Sequence, residues 1–220
     1  MGNIGRKYFF IRIVKMIFGI FLYSIGIILT IRANIGFAPW DVFHIGIADT
    51  LGLSFGTVSI IIGIIILIIV MLLGEKFGLG TISNILLIGI FLDIILKINI
   101  IPKMDDILSG SVMLISGLFI ISLGSCFYIG SAFGAGPRDS LMVALARKTK
   151  IPAGVCRSAI ELAVTVAGWF LGGMVGFGTI ISVIGIGFCI QITFKLLRFN
   201  VVAVKHESLL DTFGFFSKKH

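Results

Sequence analysis

The chain matches itself when it is shifted by 98 residues, and this repeat limits the folds that it can adopt. Residues 12–102 align with residues 110–200 without a gap, and 23 of the 91 aligned pairs are identical. Eight of the identical pairs are glycines, which indicates that the two copies share backbone geometry as well as hydrophobicity. The chain is therefore predicted to consist of two copies of one structural unit.

Each copy contains three long apolar segments that are candidates for membrane-spanning helices. They have 17–21 residues, and a helix of that length can cross a bilayer. The segments are 13–32, 56–74, 81–97, 111–131, 154–172 and 179–197. Only 13% of the residues are charged, compared with about 25% in soluble domains, which argues against a soluble enzyme, a disordered chain and a nucleic-acid-binding domain. The predicted class is an all-α, polytopic transmembrane helical bundle.

A short segment that begins with proline follows the first long segment of each copy. Residues 39–51 and 137–148 would form helices of about 18–20 Å, against about 30 Å of hydrocarbon. Both segments also contain charged residues. We therefore expect half-helices that re-enter the membrane or lie at its interface, which leaves six spans. The alternative is that both short segments span, which gives eight.

Three spans per copy is an odd number, so the second copy would cross the membrane in the opposite direction to the first. With the N-terminus inside, 15 Lys and Arg residues lie on the cytoplasmic side and 3 lie outside, in agreement with the positive-inside rule. The eight-span alternative, in which the copies are parallel, gives the same 15 to 3. The length of the short segments, rather than charge, favours the inverted arrangement.

These segments divide the chain into four regions. Residues 1–12 are a basic cytoplasmic stub, 13–102 and 103–198 are the two membrane repeats, and 199–220 are a cytoplasmic tail. The first apolar run is too long for a signal peptide, and we expect it to remain as a span. The three cysteines have no Cys-x-x-Cys spacing, so no disulfide framework, metal site or cofactor is expected.

The most distinctive motif is Gly-x-x-Pro-x-Asp, which opens both short segments. Proline suits the first turn of a helix, and an aspartate two positions later faces the positive end of the helix dipole. At membrane depth, such helix ends form solute sites in transporters. The motif residues are Gly36, Pro39 and Asp41 in the first copy, and Gly134, Gly136, Pro137 and Asp139 in the second. The alternative is a solvated carboxylate on an interfacial helix.

Two further residues of the short segments are candidates for the same site. His44 lies three residues after Asp41, so the two share a helix face and could relay protons. An inert histidine on a helix surface is the alternative. Arg138 stands where the first copy has Trp40, which we expect to be an interfacial anchor rather than a binding platform.

A second repeated motif, Gly-x-Gly-Thr, precedes the last span of each copy. Its residues are Gly78, Gly80 and Thr81 in the first copy, and Gly176, Gly178 and Thr179 in the second. Each threonine is expected to N-cap the following helix. The turns either bind an anion at that helix end or let two helices approach closely.

Ionisable residues inside apolar spans are costly and are functional candidates by default. Arg157 and Glu161 are four residues apart, which predicts an ion pair that either lines a path or holds the bundle together. Asp93 is aligned with Gln191 in the other copy. We expect Asp93 either to line a polar path or to reach the outer surface.

The two repeated motifs together resemble those of the YczE/YyaS/YitT group of bacterial membrane proteins, and those of the YczE branch most closely. The resemblance covers residues 12–200 and rests on Pro39-Trp40-Asp41, Gly136-Pro137-Arg138-Asp139 and the two Gly-x-Gly-Thr turns. It implies a protein of the bacterial plasma membrane. It supplies neither a substrate nor a mechanism.

The sequence predicts a transporter or channel for a small solute or ion, with its site where the two copies meet. The alternative is a membrane accessory or solute-capture subunit that needs a partner protein. No His-Glu-x-x-His, Gly-x-Ser-x-Gly or phosphate-loop motif occurs, so we do not expect an enzyme. The expected partners are the lipid bilayer, a small solute or ion, and a second copy or another membrane protein, but not nucleic acid.

Overall fold

The backbone is helical throughout its regular parts. A computed structural model describes residues 3–75, 77–151, 153–199, 204 and 207, without the side chains of residues 3–7, 143, 146, 153–155, 157 and 158. Over these ranges the chain forms eight α-helices and no β-strand, which confirms the predicted all-helical class. They are α1 (Asn3–Arg32), α2 (Pro39–Leu51), α3 (Phe55–Leu72), α4 (Leu79–Ile98), α5 (Ile107–Ile129), α6 (Pro137–Thr149), α7 (Ala153–Phe170) and α8 (Phe177–Leu196).

The helices begin and end close to the limits of the apolar segments. Apart from the N-terminus of α1, every helix end lies within four residues of its predicted position. The bounds of α2, α3 and α4 recur 98 residues later in α6, α7 and α8. The two halves of the chain therefore have the same order and length of helices from the short helix onward.

Five helices are long and apolar enough to cross a membrane. They are α1 from Tyr8 to Arg32, and the whole of α3, α4, α5 and α8. In α7, the residues whose side chains are described supply a shorter apolar helix, Ala159–Phe170. Large apolar side chains such as Leu72 and Phe188 face outward from the bundle. Such faces are solvated by hydrocarbon rather than water, and they contact the lipid bilayer.

Local signals set the helix ends. Pro39 starts α2, where its missing N–H costs no hydrogen bond. The Ser54 hydroxyl accepts a hydrogen bond of 3.1 Å from the Thr57 N–H at the start of α3. The Asp106 carboxylate accepts one of 2.8 Å from the Ser109 N–H at the start of α5.

The prediction that Thr81 and Thr179 are N-caps is wrong by three residues. The caps are Gly78 and Gly176. Each threonine hydroxyl accepts a hydrogen bond from the N–H of its cap glycine, at 3.3 Å for Thr81 and 3.1 Å for Thr179. The backbone of another loop lies within 2.7 Å of where a Cβ would stand on either cap. Only glycine fits there, so the capping oxygen comes from inside the helix.

Helices α1 and α5 cross in antiparallel orientation with their backbones in contact. A Cβ added at Gly19 would lie 2.8 Å from the Gly124 carbonyl oxygen, and one added at Gly26 would lie 2.8 Å from the Gly117 oxygen. Small residues allow helices to approach this closely. Gly19 aligns with Gly117, and Gly26 aligns with Gly124. The two glycine contacts are therefore equivalent in the repeat, and the crossing is symmetric. The main core surrounds the crossing and includes Ile20, Ile28, Leu92, Leu118 and Phe133.

A loop from each half packs onto the turn that precedes the last helix of the other half. The Gly178 N–H donates to the Ile35 carbonyl, and the Gly80 N–H donates to the Phe133 carbonyl, both at 2.7 Å. These two bonds join aligned positions, because 35 aligns with 133 and 80 with 178. The loop contacts between the halves are therefore reciprocal.

The two short helices run from the interior of the bundle to its opposite ends. Near the C-terminus of α2, the Thr50 hydroxyl lies 3.4 Å from the carbonyl oxygen of Leu171, which follows α7. Near the C-terminus of α6, Arg147 forms a salt bridge of 3.0 Å with Glu75, which follows α3. The C-terminus of α2 thus lies beside the end of α7, and the C-terminus of α6 lies beside the end of α3.

Candidate functional site

The N-termini of α2 and α6 meet in the interior of the bundle. The guanidinium carbon of Arg138 lies 4.8 Å from the centre of the Trp40 ring, as in a cation–π contact. Trp40 and Arg138 are aligned positions of the two halves. Tyr23 and Ile121, from the middle of α1 and α5, line both cavities beside this contact. The short helices therefore begin at the level where α1 and α5 cross.

The larger cavity, which we name the Asp139 cavity, has a volume of about 340 Å³ and lies at the N-terminus of α6. Isoleucines of α3, α4, α5 and α8 form much of its wall. Its polar side chains come from six helices and are Tyr23, His44, Ser59, Asn84, Ser125, Tyr128, Arg138 and Asp139. Apolar walls with a few converging polar groups are typical of sites for small molecules.

Two buried polar groups beside the Asp139 cavity have no hydrogen-bond partner in the described part of the chain. His44 is 1% exposed, and neither of its ring nitrogens is bonded to a described residue. The hydroxyl of Tyr128 is buried and likewise has no described partner. Nearly all buried polar atoms in proteins are bonded, to a protein group, a water molecule or a ligand. These atoms therefore offer donors and acceptors to a polar molecule in the cavity.

Aromatic rings hold His44 in place. Its ring centroid lies 6.2 Å from that of Trp40, 6.4 Å from that of Phe43 and 5.9 Å from that of Phe55. A ring confined on several sides keeps its orientation toward the cavity without a hydrogen bond.

The smaller cavity, which we name the Asp41 cavity, has a volume of about 70 Å³ and lies at the N-terminus of α2. Asp41, Glu161 and Ser182 line it, together with Trp40 and Arg138. Asp41 is 3% exposed. Ser182 is 1% exposed, and its hydroxyl has no hydrogen-bond partner among the residues described.

The structure brings most of the predicted site residues to these two cavities. Asp41, His44, Arg138, Asp139 and Glu161 line one or both. The predicted partner of Glu161 is Arg157, whose side chain lies outside the described residues. The motif residues Pro39, Gly136 and Pro137 also line the cavities.

Two predicted residues lie elsewhere. Asp93 accepts hydrogen bonds from the Gly56 N–H at 2.8 Å and from the Ser54 hydroxyl at 2.5 Å. It therefore joins α4 to the N-terminus of α3, and its carboxylate is already satisfied there. Gln191 is exposed on α8, and neither residue is among the described residues that line the Asp41 and Asp139 cavities.

The glycine motifs serve as close backbone crossings. Gly36 and Gly134 have positive φ angles of 119° and 121°, and a Cβ on Gly36 would lie 2.8 Å from the backbone of Gly176. The N–H groups of Gly80 and Gly178 donate to loop carbonyls of the opposite half. Because these N–H groups are occupied, the geometry favours tight packing over the anion-binding alternative at both turns.

The structure places at the site several residues that the sequence motifs do not include. Asn84, Ser125, Tyr128 and Ser182 line the cavities, and each is a polar residue within an apolar segment, which is the signal that could have found them. The prediction that Trp40 is an interfacial anchor is wrong, because Trp40 is 9% exposed and packs against Arg138. Its partner comes from the other half of the chain, so no local sequence pattern indicates the contact.

An all-helical fold with apolar outer faces and a buried polar cavity defines a polytopic membrane protein. The chain belongs to the family of unknown function DUF6198, whose model matches residues 10–195. The predicted resemblance is thereby confirmed, since relatives within the YczE/YyaS group also match.

Three bacterial relatives show the extent of the similarity. The uncharacterized membrane protein YczE of Bacillus subtilis is 35% identical over 186 residues, which cover 83% of this chain and 82% of YczE. An uncharacterized protein of Haemophilus influenzae is 31% identical over 182 residues, 83% of each chain. The uncharacterized protein YyaS of Bacillus subtilis is 30% identical over 168 residues, 75% of this chain and 83% of YyaS. No solved structure matches the chain.

Proposed function

We propose that this protein moves a small polar solute or ion across the bacterial cell membrane, by way of the cavities at the N-termini of α2 and α6. The observation that carries the proposal is the Asp139 cavity itself, in which His44 and Tyr128 present polar atoms that have no hydrogen-bond partner in the described part of the chain. Two helix N-termini that face one central site are a recurring arrangement in transporters. Their dipoles and the charges of Asp41, Arg138 and Asp139 would replace water around a polar solute.

The proposal includes six spans arranged as an inverted repeat. The antiparallel α1–α5 crossing, the reciprocal loop bonds and the Trp40–Arg138 contact all support a two-fold axis between the halves. Such an axis is perpendicular to α1 and α5, and it would lie in the membrane plane if these helices span. The sixth span would be α7, and the short helices α2 and α6 would enter from opposite sides.

Both termini are proposed to be cytoplasmic. This orientation is supported by the 15 Lys and Arg residues that it places inside, against 3 outside. It puts the C-terminus of α6 at the cytoplasmic end and that of α2 at the outer end. A solute moved against its gradient would need a second gradient or a partner protein, because the sequence contains no phosphate-loop motif.

Flux through the purified protein in liposomes tests the proposal. Light scattering would follow entry of glycerol and urea, and ion-selective dyes would follow Na⁺, K⁺ and H⁺. We expect at least one of these probes, or a solute of similar size, to cross faster than in empty liposomes. His44→Ala and Asp139→Asn should remove most of that flux, because both residues line the Asp139 cavity. Gln191→Ala is the matched control, since Gln191 is exposed on α8.

The accessory-subunit alternative makes the opposite prediction. In that case the purified protein gives no flux for any small solute, and a stoichiometric partner co-purifies with it from the native membrane. Flux that persists in both His44→Ala and Asp139→Asn would contradict the proposed path even if the protein transports.

A further inference from the structure

We propose that the Asp41 cavity is a second binding site for the same solute, the closed counterpart of the Asp139 cavity, and that the two open alternately. The Trp40–Arg138 contact is then the barrier between them. The inference rests on the transport function proposed above. The protein would then be a carrier with two half-sites and a gate between them.

The two cavities are built from aligned positions of the two halves. Of the 13 residues that line the Asp41 cavity, 12 have a counterpart 98 residues away that lines the Asp139 cavity. Asp41 thus corresponds to Asp139, and Ser182 corresponds to Asn84. Leu118 is the one whose counterpart does not line the other cavity. Two unrelated crevices would not share their linings in this way.

Both cavities also present buried polar groups that lack a partner in the described part of the chain. The Asp139 cavity has His44 and Tyr128, and the Asp41 cavity has the Ser182 hydroxyl. Asp41, which is 3% exposed, adds a carboxylate. The Asp41 cavity is therefore a polar site of the same kind, and the chemistry that it would bind is a small solute with hydrogen-bonding groups.

Trp40 and Arg138 separate the two half-sites. Both side chains line both cavities, and they are held together by their cation–π contact. A solute that moves from one half-site to the other must part this pair.

The unequal volumes of about 340 and 70 Å³ accompany a difference in helix packing. A Cβ on Gly89 would lie 2.6 Å from the Gly56 carbonyl oxygen, so α4 packs closely on α3. The aligned position in the other half, Gly187, is exposed, and no described atom lies within 4 Å of its Cβ position. The two halves of the repeat thus pack their helices differently. If the halves exchanged these two packing arrangements, the Asp139 cavity would close and the Asp41 cavity would open.

Side-specific cysteine labelling tests the inference. In a background with Cys126, Cys156 and Cys189 replaced by alanine, the Asn84→Cys and Ser182→Cys variants each report on one cavity. A membrane-impermeant maleimide is added to either face of reconstituted vesicles. We expect Asn84→Cys to react only from the cytoplasmic face and Ser182→Cys only from the outer face. Gln191→Cys, outside both cavities, is the control.

Two further variants distinguish a gate from a fixed partition. Trp40→Ala should let each cysteine react from the opposite face at a rate raised about tenfold or more, the size expected from the loss of a desolvated cation–π contact. Trp40→Phe, which keeps an aromatic face, should restore most of the barrier. Ser125→Ile introduces into the Asp139 cavity the isoleucine side chain that stands at the aligned position of the other half. It should slow the labelling of Asn84→Cys and speed the labelling of Ser182→Cys.

Other results would overturn the inference. Alternate opening is contradicted if both cysteines react from the same face. It is also contradicted if Ser125→Ile slows the labelling of Asn84→Cys and leaves the labelling rate of Ser182→Cys unchanged. Solute flux together with either of those results would leave transport in place as a channel. Reciprocal labelling with no flux of any solute tested would instead count against the proposed function and support the two-state cavities.

Discussion

Replacing Gly124 by alanine should destabilise the protein far more than the same change at Gly187. A Cβ on Gly124 would lie 2.6 Å from the Tyr23 backbone nitrogen and 2.7 Å from the Gly19 carbonyl oxygen. Because these are backbone atoms, no side-chain rotation relieves the clash, and α1 and α5 have to move apart. Gly187 is exposed, and no atom of the described part of the chain lies within 4 Å of its Cβ position.

The comparison isolates the cost of the clash. Both glycines lie inside helices, so alanine gains about 1 kcal/mol of helix propensity at either site, and this gain cancels in the difference. Overpacking a well-packed interior costs about 1–3 kcal/mol. We therefore expect the free energy of unfolding of Gly124→Ala to lie about 1–3 kcal/mol below that of Gly187→Ala.

Denaturant unfolding in detergent micelles, followed by circular dichroism, provides the measurement. The two-fold relation of the crossing adds an internal check, because Gly26→Ala should behave like Gly124→Ala at the aligned position. Equal stability of Gly124→Ala and Gly187→Ala would refute the reasoning, since it would mean that α1 and α5 are not in backbone contact.

The remaining predictions concern single side chains. Tyr128→Phe should leave the free energy of unfolding unchanged or raise it, because it removes a buried hydroxyl that has no partner in the described part of the chain, while lowering solute flux. Asp106→Ala should destabilise the start of α5 in denaturant unfolding at neutral pH. Hydrogen bonds from the side chain and then the backbone of Ser109 lower the pKa of the Asp106 carboxyl. This stabilisation is complete above the unfolded-state pKa of about 4 and is lost as pH falls through the lower folded-state pKa, so the variant and the parent should converge in acid. Arg147→Ala should cost less than about 1 kcal/mol, because this side chain is 59% exposed in its salt bridge. Arg12→Ala should cost about 2 kcal/mol, because its guanidinium bonds a loop carbonyl and a carboxylate and is 14% exposed.

The helices could be predicted from the sequence because each carries its own signal. Pro39 and Pro137 mark the first residues of α2 and α6, and the apolar runs fix the long helices to within a few residues. The glycines that recur in the two copies indicate a shared backbone geometry, and two of them, Gly19 and Gly124, are in contact across α1 and α5.

The site could be predicted only in part, because its geometry depends on contacts between the halves. Asp41 and Asp139 were found from their position after a proline, where the helix dipole acts. Trp40 was misjudged because its partner, Arg138, is distant in the chain and no local pattern joins them. Asp93 is predicted either to line a path or to reach the outer surface, and its carboxylate bonds the N-terminus of α3. A charged residue in an apolar segment indicates a polar contact without specifying which one.

The account depends on the two halves crossing the membrane in opposite directions, and the loop between α4 and α5 tests this most directly. Lys103 is exposed in that loop, and Lys150 is exposed after α6. In the cysteine-free background, intact cells carrying Lys103→Cys or Lys150→Cys are treated with a membrane-impermeant maleimide. We predict that Lys103→Cys is labelled from outside and that Lys150→Cys is labelled only after the membrane is permeabilised. Protection of Lys103→Cys in intact cells would place that loop inside, require α2 to span, and contradict the inverted arrangement.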